Sequence, residues 1–258
     1  MDTVSHNKKI CVIIPCLNEE QGIGAVVSRF PRGALARLGY VLDVVVVDNG
    51  STDNTGARAR AAGATVLVEP KIGKGNALRT GFAHVSDDTD FVVMLDGDAT
   101  YHPEEILRLV EPLASGFCTA VVGSRLAGKI NEGSMHTLNR FGSWLFTQMV
   151  RVGYQANVTD VLSGYFAWTR EALLRLAPHL TSNGFAIEME MVTKMSRLHE
   201  SIYAVPISYS VREGTSNLRP FSDGMRILRM FIRNFFWTPE RVRPSMPGSV
   251  AVQAQHVA

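Results

Sequence analysis

The stretch FVVMLDGDATYHP, residues 91–103, joins an apolar run to two carboxylates, and it decides how the rest of the chain is interpreted. The apolar residues at its start predict a buried strand. Asp96 and Asp98 follow this strand directly, one residue apart. Burying an unpaired carboxylate costs several kcal/mol, so the pair needs either a positive partner or an open strand end.

The composition indicates a protein with a large apolar core and little net charge. The chain has 258 residues, 46% of them hydrophobic, and a formal net charge of +2. This balance, without stacking aromatic residues among basic ones, argues against nucleic-acid binding. No apolar run approaches the roughly 18 residues of a membrane span, and the first residues lack a secretory signal. The three cysteines lack metal-ligand spacing and predict reduced thiols in a cytosolic protein.

Short apolar runs alternate with helical segments along the first half of the chain, and this alternation predicts the fold class. Strands are expected at 10–15, 41–47, 64–68, 91–95 and 120–123. Helices are expected between them, at 18–30, 51–62, 73–85 and from Pro103 onward. This order predicts a doubly wound α/β sheet, mostly parallel, with helices on its faces.

Polar residues follow three of these strands at the point where each strand ends. The clusters are PCLNEE at 15–20, DNGS at 48–51 and DGD at 96–98. In doubly wound sheets, ligands bind at the carboxyl ends of the strands, so the three clusters are expected to line one cleft. The two carboxylates of the opening stretch then lie at an open strand end.

Each acidic cluster, taken alone, has both a functional and a structural interpretation. Asp96 and Asp98 offer the hard oxygen ligands that Mg²⁺ or Mn²⁺ prefers, although the same spacing occurs in solvated turns. Asp48 fits a residue that binds a base or ribose, and it equally fits a helix-capping acid in a turn.

The segment 71–76 is basic and rich in glycine. It is not the phosphate loop of nucleotide triphosphatases, because Gly73-Lys74 is followed by Gly75 rather than by Ser or Thr. It can present backbone N–H groups and the Lys74 ammonium to a diphosphate, or it can be a surface turn.

Several motifs along the chain resemble one enzyme family. PCLNEE, VVVVDNGSTDNT, GKGNALRTGF and MLDGDATYHPEEI occur in order and resemble an inverting family 2 glycosyltransferase with the GT-A fold, over about residues 10–125. The later segments VVGSR, TDVLSGYFAWTREAL, GFAIEMEM and REGTSNLRPFSDGMRIL resemble the polyprenyl-phosphate sugar transferases, such as the dolichol-phosphate mannose synthases. The two parts together cover about residues 10–230.

The resemblance implies an organisation for the whole chain. Residues 1–215 are expected to form the GT-A catalytic domain, a mixed, mostly parallel sheet flanked by helices. Its nucleotide-sugar half spans about 8–125 and its acceptor half 126–215. Residues 216–238 are expected to form a closing loop and an amphipathic helix, and residues 239–258 a flexible tail.

The resemblance also implies roles for particular residues. Asp96 and Asp98 are expected to hold Mg²⁺ or Mn²⁺ and the donor diphosphate. The residues expected to bind the substrates are Pro15, Asn18, Glu19, Asp48, Lys74, Asp96 and Ser143. The residues expected to be catalytic are Asp98, Arg125, Arg140 and Arg212. Of these, Arg125 and Arg140 are, with Ser143, at positions where members of the family bind the acceptor phosphate. Arg212 is at a position in the loop that closes over the donor in the family.

The chain departs from the family's pattern at two positions. Thr100 stands where the dolichol-phosphate enzymes often have a glutamine that contacts the metal. Ser216-Asn217-Leu218 stands where the family usually has Ser-Lys-Leu, so a cation near the phosphate is missing.

Residues 225–237 have the pattern of an amphipathic helix. One side carries Ile227, Leu228, Phe231, Ile232, Phe235 and Phe236, and the other carries Arg226, Arg229 and Arg233. This helix can lie at a membrane interface, or it can dock its apolar side on the protein's own core. The apolar-rich helix at 136–152 can lie beside it. With a lipid acceptor, we expect a peripheral protein on the cytoplasmic face of a membrane.

The sequence therefore leads to one main hypothesis and two alternatives. The main hypothesis is transfer of a hexose from a nucleotide-diphosphate sugar to polyprenyl phosphate, with GDP-mannose favoured and UDP-glucose also fitting. The first alternative is a glycosyltransferase with a soluble phosphorylated or sugar acceptor. The second is a subunit that binds nucleotide sugars without catalysis.

Overall fold

The computed structural model describes residues 7–214 and 219–239, which form a seven-stranded sheet with helices on both faces. The strands are β1 (Lys8–Cys16), β2 (Tyr40–Asp48), β3 (Thr65–Val68), β4 (Phe91–Met94), β5 (Ala120–Ile130), β6 (Phe166–Thr169) and β7 (Ile202–Tyr209). Their spatial order is β3-β2-β1-β4-β6-β5-β7. Only β6 runs antiparallel to its neighbours, so the predicted mixed, mostly parallel sheet is confirmed.

The helices cover two separate apolar cores. They are α1 (Ile23–Ser28), α2 (Arg32–Arg37), α3 (Thr55–Ala61), α4 (Lys74–Ala83), α5 (Ile106–Ala114), α6 (Thr137–Tyr154), α7 (Arg170–Leu176), α8 (Ile187–Arg197) and α9 (Pro220–Phe235). Side chains alternate along each strand, so Ile13 of β1 joins one core and Val12 the other. The core that contains Ile13 is covered by α4 and α6–α9, and the other by α1–α3 and α5.

The register of the parallel strands brings the three polar clusters to one edge of the sheet. Cys16 at the end of β1 is paired with Asp48 at the end of β2, and Ile13 is paired with Met94 at the end of β4. The residues that follow these strands therefore emerge side by side. The apolar runs of these strands are buried on both faces, as is usual for central parallel strands.

Several elements differ from the expectations. The helix expected at 51–62 begins only at Thr55. The helix expected at 18–30 begins only at Ile23, and a further short helix, α2, follows Pro31, which disfavours a helical residue before it. The strand expected at 120–123 continues to Ile130. Its polar second part pairs with β7, and Gly128 allows the close approach, since an added Cβ would lie 1.9 Å from the carbonyl oxygen of Ile207.

The second half of the chain does not form a separate sheet. β6 lies between β4 and β5, so the acceptor half completes the sheet that the first half begins. The proposed division at residue 125 and the boundaries at 215 and 239 stay predictions. Ser216-Asn217-Leu218 and the tail from residue 240 lie outside the described residues. Within the described ranges, no helix has both the length and the hydropathy needed to cross a membrane.

Gly81 of α4 allows this helix to lie directly on β1. An added Cβ would lie 2.3 Å from Cγ2 of the buried Ile13. We expect Gly81→Ala to lower the free energy of unfolding by about 1–3 kcal/mol, the usual cost of overpacking a core. Urea denaturation followed by circular dichroism would measure it.

Gly24→Ala is the matched control for this substitution. Gly24 also lies in a helix, but no atom lies within 4 Å of an added Cβ. We expect it to leave stability unchanged or to raise it by up to about 1 kcal/mol, because alanine favours helix. Equal losses in the two variants would contradict the close packing of α4 on β1.

Candidate active site

A cleft of about 1350 Å³ opens at the edge of the sheet where the polar clusters meet. The end of β1 and the turns after β1, β2 and β4 line one end of it, with Pro15, Glu19, Asn49, Asp96 and Asp98 among the lining residues. The other end is lined by the start of α6 and by α9. The predicted convergence of the three strand ends on one cleft is therefore observed.

Two cations link four carboxylates at the inner end of the cleft. The Lys74 ammonium lies 2.6 Å from Oδ1 of Asp96 and 2.6 Å from Oε1 of Glu188. Arg212 donates from Nη1 to Oδ2 of Asp98 at 2.8 Å, and from Nη2 to Oε1 of Glu19. With all four acids ionised, the group carries an excess of two negative charges.

The pKa values of this group reflect burial and mutual repulsion. The pKa of Glu19 is raised to about 8, mainly by burial. The Arg212 guanidinium lowers this pKa in part, and the Asp98 carboxylate raises it further. The pKa of Asp96 is also raised, mainly by burial. The Lys74 ammonium opposes this rise, and the Asp98 carboxylate adds to it. Burial lowers the pKa of Lys74, but Asp96 and Glu188 raise it by more, so the ammonium stays charged.

The turn after β4 holds Asp98 in a fixed orientation. Thr100 donates to Oδ1 of Asp98 from its backbone N–H at 3.1 Å and from its hydroxyl at 2.5 Å. Ala99, between them, has a positive φ of 61°. Thr100, which departs from the pattern of the family that the sequence resembles, thus orients the neighbouring carboxylate.

The acidic end of the cleft fits a divalent cation. Oε2 of Glu19 is buried without a hydrogen-bond partner, and the carboxylate group carries excess negative charge. Among residues 7–214 and 219–239, no group of three or more His, Cys, Asp or Glu has a metal-binding arrangement. A cation held by Asp96 and Asp98 would therefore take its remaining ligands from a diphosphate and water, as Mg²⁺ commonly does.

Arg125 also lines the cleft, and it is held by a buried acid. Asp160 accepts from Nε of Arg125 at 2.7 Å and from Nη2 at 2.9 Å, and the carbonyl of Leu162 accepts from Nη2 at 2.7 Å. The Ser143 hydroxyl lies 3.5 Å from the same nitrogen. The structure thus brings Arg125 and Ser143 together in the lining, whereas Arg140 is exposed on α6 outside it.

Asn18 and Asp48 lie beside the lining and hold its turns. Asn18 accepts from the N–H of Thr52 at 2.8 Å, and Asp48 accepts from the N–H of Ser51 at 2.9 Å. Asp48 therefore holds a turn, but it does not cap a helix, because α3 begins only at Thr55. A role for either residue in binding the donor stays a prediction.

The segment 71–76 contributes Ile72, Gly73 and Lys74 to the lining of the cleft, and several of its backbone N–H groups are bonded within the protein. Gly73 N–H donates to Oδ1 of Asn49 at 2.6 Å. Gly75 N–H donates to the carbonyl of Asn183 at 3.0 Å, and Asn76 N–H to the carbonyl of Gly73 at 2.9 Å. These three N–H groups are therefore engaged within the protein, whereas the Lys74 side chain lies in the lining of the cleft. A role for the backbone of this segment in binding a diphosphate stays a prediction.

Several residues of the site were missed by sequence reasoning. Glu188 and Asp160 both lie in segments that resemble the family, but their partners are more than 30 positions away and no spacing reveals them. Asn49 directly follows Asp48, and its side chain joins the turn after β2 to the carbonyls of Glu69 and Lys71.

Helix α9 has three faces rather than two. Asp223, Ile227, Met230 and Asn234 are buried against the protein. Arg226, Arg229 and Arg233 lie along the cleft. Phe221, Met225, Ile232, Phe235 and Phe236 are exposed. The sequence placed Ile227 and Phe231 on the same side as Ile232 and Phe236, but Ile227 joins the core and Phe231 packs against it. Both alternatives left open by the sequence therefore hold for different residues of this helix.

Comparison with known proteins assigns the family. Residues 11–176 match glycosyl transferase family 2. The chain therefore belongs to this family and is a glycosyltransferase that uses a nucleotide sugar.

Two curated proteins from Haloferax volcanii are similar to the chain. The glycosyltransferase AglJ is 36% identical over 218 residues, covering 83% of this chain and 68% of that protein. A dolichyl-phosphate hexose transferase is 30% identical over 224 residues, covering 87% of this chain and 92% of that protein.

A solved structure shares the fold. Glucosyl-3-phosphoglycerate synthase from Mycobacterium tuberculosis, in complex with Mn²⁺, UDP and phosphoglyceric acid, superposes with a TM-score of 0.69 at 27% identity, covering 91% of this chain and 80% of that one. The same enzyme is also solved with Mg²⁺ and UDP. The expected GT-A fold is confirmed, and these complexes agree with the Mg²⁺ or Mn²⁺ cofactor predicted from the sequence.

The raised pKa of Glu19 predicts a pH dependence of stability in the absence of a divalent cation. A carboxyl whose pKa rises on folding, here from 4.5 to about 8, contributes stability at low pH and loses it as pH rises through the folded value. We expect the free energy of unfolding to fall between about pH 5 and pH 9. Glu19→Gln should flatten this fall, as measured by urea denaturation.

Glu20→Gln serves as the control for the pH experiment. Glu20 is the next residue, and its carboxylate accepts from the N–H of Asn54 outside the lining of the cleft. This variant should keep the pH slope of the unmodified protein. A slope unchanged by Glu19→Gln would contradict the assignment of the effect to Glu19.

Proposed function

We propose that the protein transfers a hexose, with inversion, from a nucleotide-diphosphate sugar to a polyprenyl phosphate. One observation carries this proposal. A single cleft joins the acidic end, at Asp96 and Asp98, to an end lined by the arginines of α9 and by apolar residues of α6 and α9. The first end suits a cation and a diphosphate, and the second suits a phosphate on an apolar chain.

At the donor end, each charged residue has a role in this proposal. Asp96 and Asp98 would hold a divalent cation, which would supply charge neutralisation at the departing diphosphate. Lys74 and Arg212 bring positive charge to the same region and would exchange part of their contacts with acids for contacts with phosphate oxygens. Because the bound complexes of the mycobacterial enzyme contain UDP and the sequence resemblance favours GDP-mannose, both bases belong in the assay.

At the acceptor end, the chain would position an already reactive oxygen. A phosphate monoester has a second pKa near about 6, so it is largely dianionic at neutral pH and needs no strong general base. Its oxygen forms a bond to the anomeric carbon as the bond from that carbon to the diphosphate breaks. Asp160 holds Nε and Nη2 of Arg125, and Nη1 makes no hydrogen bond to another described residue, so it is the nitrogen offered to the acceptor.

The exposed face of α9 supports a place on a membrane surface. Phe236 is 79% exposed and Ile232 is 50% exposed, and the arginines of the helix lie on its cleft side. On α6, Leu138, Phe141 and Leu145 recur at helical spacing and are also exposed. Apolar residues of this kind insert into the headgroup region while arginines attract anionic lipids. We therefore propose a peripheral protein on the cytoplasmic face of a membrane.

A soluble phosphorylated acceptor is the second candidate. It is supported by the likeness to glucosyl-3-phosphoglycerate synthase, which is solved with phosphoglyceric acid. The arginines along the cleft suit a small phosphorylated acid as well as a lipid phosphate. The exposed apolar faces of α6 and α9 favour the lipid, because a soluble acceptor gives them no partner.

Donor turnover tests the reaction. The protein would be incubated with Mn²⁺ or Mg²⁺, a short polyprenyl phosphate and either GDP-mannose or UDP-glucose, and glycosylated lipid would be read by mass spectrometry. We expect product from one donor, and a loss of at least about a hundredfold in Asp98→Asn, since a preorganised electrostatic contact contributes on this scale.

Asp88→Asn is the matched control for turnover. Asp88 pairs with Lys9 at 3.1 Å, before β4 and thus at the opposite end of the strand from Asp98. It should keep full activity. Glycosylation of 3-phosphoglycerate in place of the lipid would favour the second candidate, and the absence of transfer to either acceptor would contradict the proposed function.

Vesicle flotation tests the membrane surface separately. We expect the protein to float with vesicles of equal parts phosphatidylcholine and phosphatidylglycerol. The double variant Ile232→Ser, Phe236→Ser should bind at least about tenfold more weakly, because each buried apolar side chain is worth about 1.5–3 kcal/mol.

The flotation control removes exposed apolar residues elsewhere. Leu38 and Phe117 are 59% and 63% exposed and lie outside α6 and α9. Leu38→Ser, Phe117→Ser should float like the unmodified protein. Equal binding by all three proteins would show that α9 is not the membrane contact.

A further inference from the structure

We infer that Glu190 is a positioning residue, which holds Lys74 in the donor site through the backbone of residues 181–183. The inference rests on the proposed function, since it concerns the binding of the donor diphosphate. Glu190 is fully buried at the start of α8 and lies outside the lining of the cleft. It therefore acts on the site through other residues.

Glu190 fixes the segment before α8 with several hydrogen bonds. Its carboxylate accepts from Thr181 N–H at 3.0 Å, from the Thr181 hydroxyl at 2.7 Å and from Ser182 N–H at 2.7 Å. The Lys194 ammonium, one turn along the helix, donates to it at 2.6 Å. Lys194 also donates to the carbonyl of His179. The buried charge is thus paired and its oxygens are occupied, as burial requires.

The fixed segment in turn holds the glycine-rich start of α4. The carbonyl of Asn183 accepts from Gly75 N–H at 3.0 Å, and that of Ser182 accepts from Nη1 of Arg79 at 2.5 Å. The two backbones are so close that an added Cβ at Gly73 would lie 2.1 Å from the Asn183 oxygen. One at Gly75 would lie 2.0 Å from the Ser182 oxygen.

Lys74 lies between these two glycines, so the same contact sets its position. Glycine is needed on both sides of Lys74 because the two backbones approach so closely. The Lys74 side chain lies in the cleft between Asp96 and Glu188. The first turn of α8 therefore has two acids with different tasks. Glu188 pairs with Lys74 directly, and Glu190 holds the backbone that positions it.

Glu190→Gln tests the inference, since it keeps the shape of the side chain and removes its charge. Calorimetry would measure the binding of UDP and of GDP in the presence of Mn²⁺. Hydrogen exchange would follow the amides of Gly75 and Asn76. We expect the nucleotide that binds the unmodified protein to bind about tenfold more weakly, the scale of one charge-assisted hydrogen bond, and the Gly75 amide to exchange faster. In turnover, KM for the donor should rise more than kcat falls.

Glu200→Gln is the matched control. Glu200 accepts from the Thr119 hydroxyl at 2.8 Å and from Arg175 at 2.6 Å, outside the lining of the cleft. It loses a comparable set of contacts, so a purely structural effect would appear in both variants. Nucleotide binding and Gly75 exchange should stay unchanged in this control.

The outcomes separate the inference from the proposed function. If Glu190→Gln matches Glu200→Gln in binding and in exchange, the positioning role is wrong while the proposed function stands. If the unmodified protein binds neither nucleotide, the proposed function fails. The positioning role is then decided by hydrogen exchange: it stands if the Gly75 amide exchanges faster in Glu190→Gln but not in Glu200→Gln, and it is wrong otherwise. If Glu190→Gln does not fold, Thr181→Val removes one of the same hydrogen bonds, and the same two readouts decide.

Discussion

The Lys74 ammonium lies 2.6 Å from oxygens of both Asp96 and Glu188, and this contact joins three parts of the chain. Asp96 follows β4, Lys74 begins α4 and Glu188 begins α8. Arg212 makes a second such connection, from the segment after β7 to the turns after β1 and β4. Removing one partner of a buried ion pair typically costs about 3–5 kcal/mol, so these cations both hold the cleft together and limit its residual charge.

Helix α8 connects the two ends of the cleft. Its first turn carries Glu188 and Glu190, which act on the donor end. Further along, Thr193 accepts from Asn234 of α9 at 2.8 Å, and the Lys194 ammonium lies 5.2 Å from the ring centroid of Trp237. Helix α9, which we propose contacts the membrane, is thus packed on α8, whose first turn pairs with Lys74 in the proposed donor site. The membrane contact and the donor site would therefore be connected through α8.

The first half of the fold was predictable because its signals are local. The apolar runs of β1, β2 and β4 are buried on both faces, and the acids that follow them identify the open edge of the sheet. The second half gave weaker signals. The polar end of β5 forms a strand only because it pairs with β7. The place of β6 in the sheet depends on its antiparallel pairing with β4 on one side and β5 on the other. Such pairings depend on residues far apart in the chain.

By itself, the sequence determined the order of the strands along the chain, the acids at their ends and the amphipathic character of α9, since each depends on neighbouring residues. Only the tertiary structure decided which cations meet those acids. Arg212 is separated from Asp98 by 114 positions and from Glu19 by 193. The segment after β7 brings them together, because its Glu213 N–H donates to the Asp98 carbonyl in the turn after β4. The tertiary structure also decided which side of α9 is exposed. Apolar residues lie on two sides of this helix, and only the packing of Ile227 and Met230 against the core determines which side is buried.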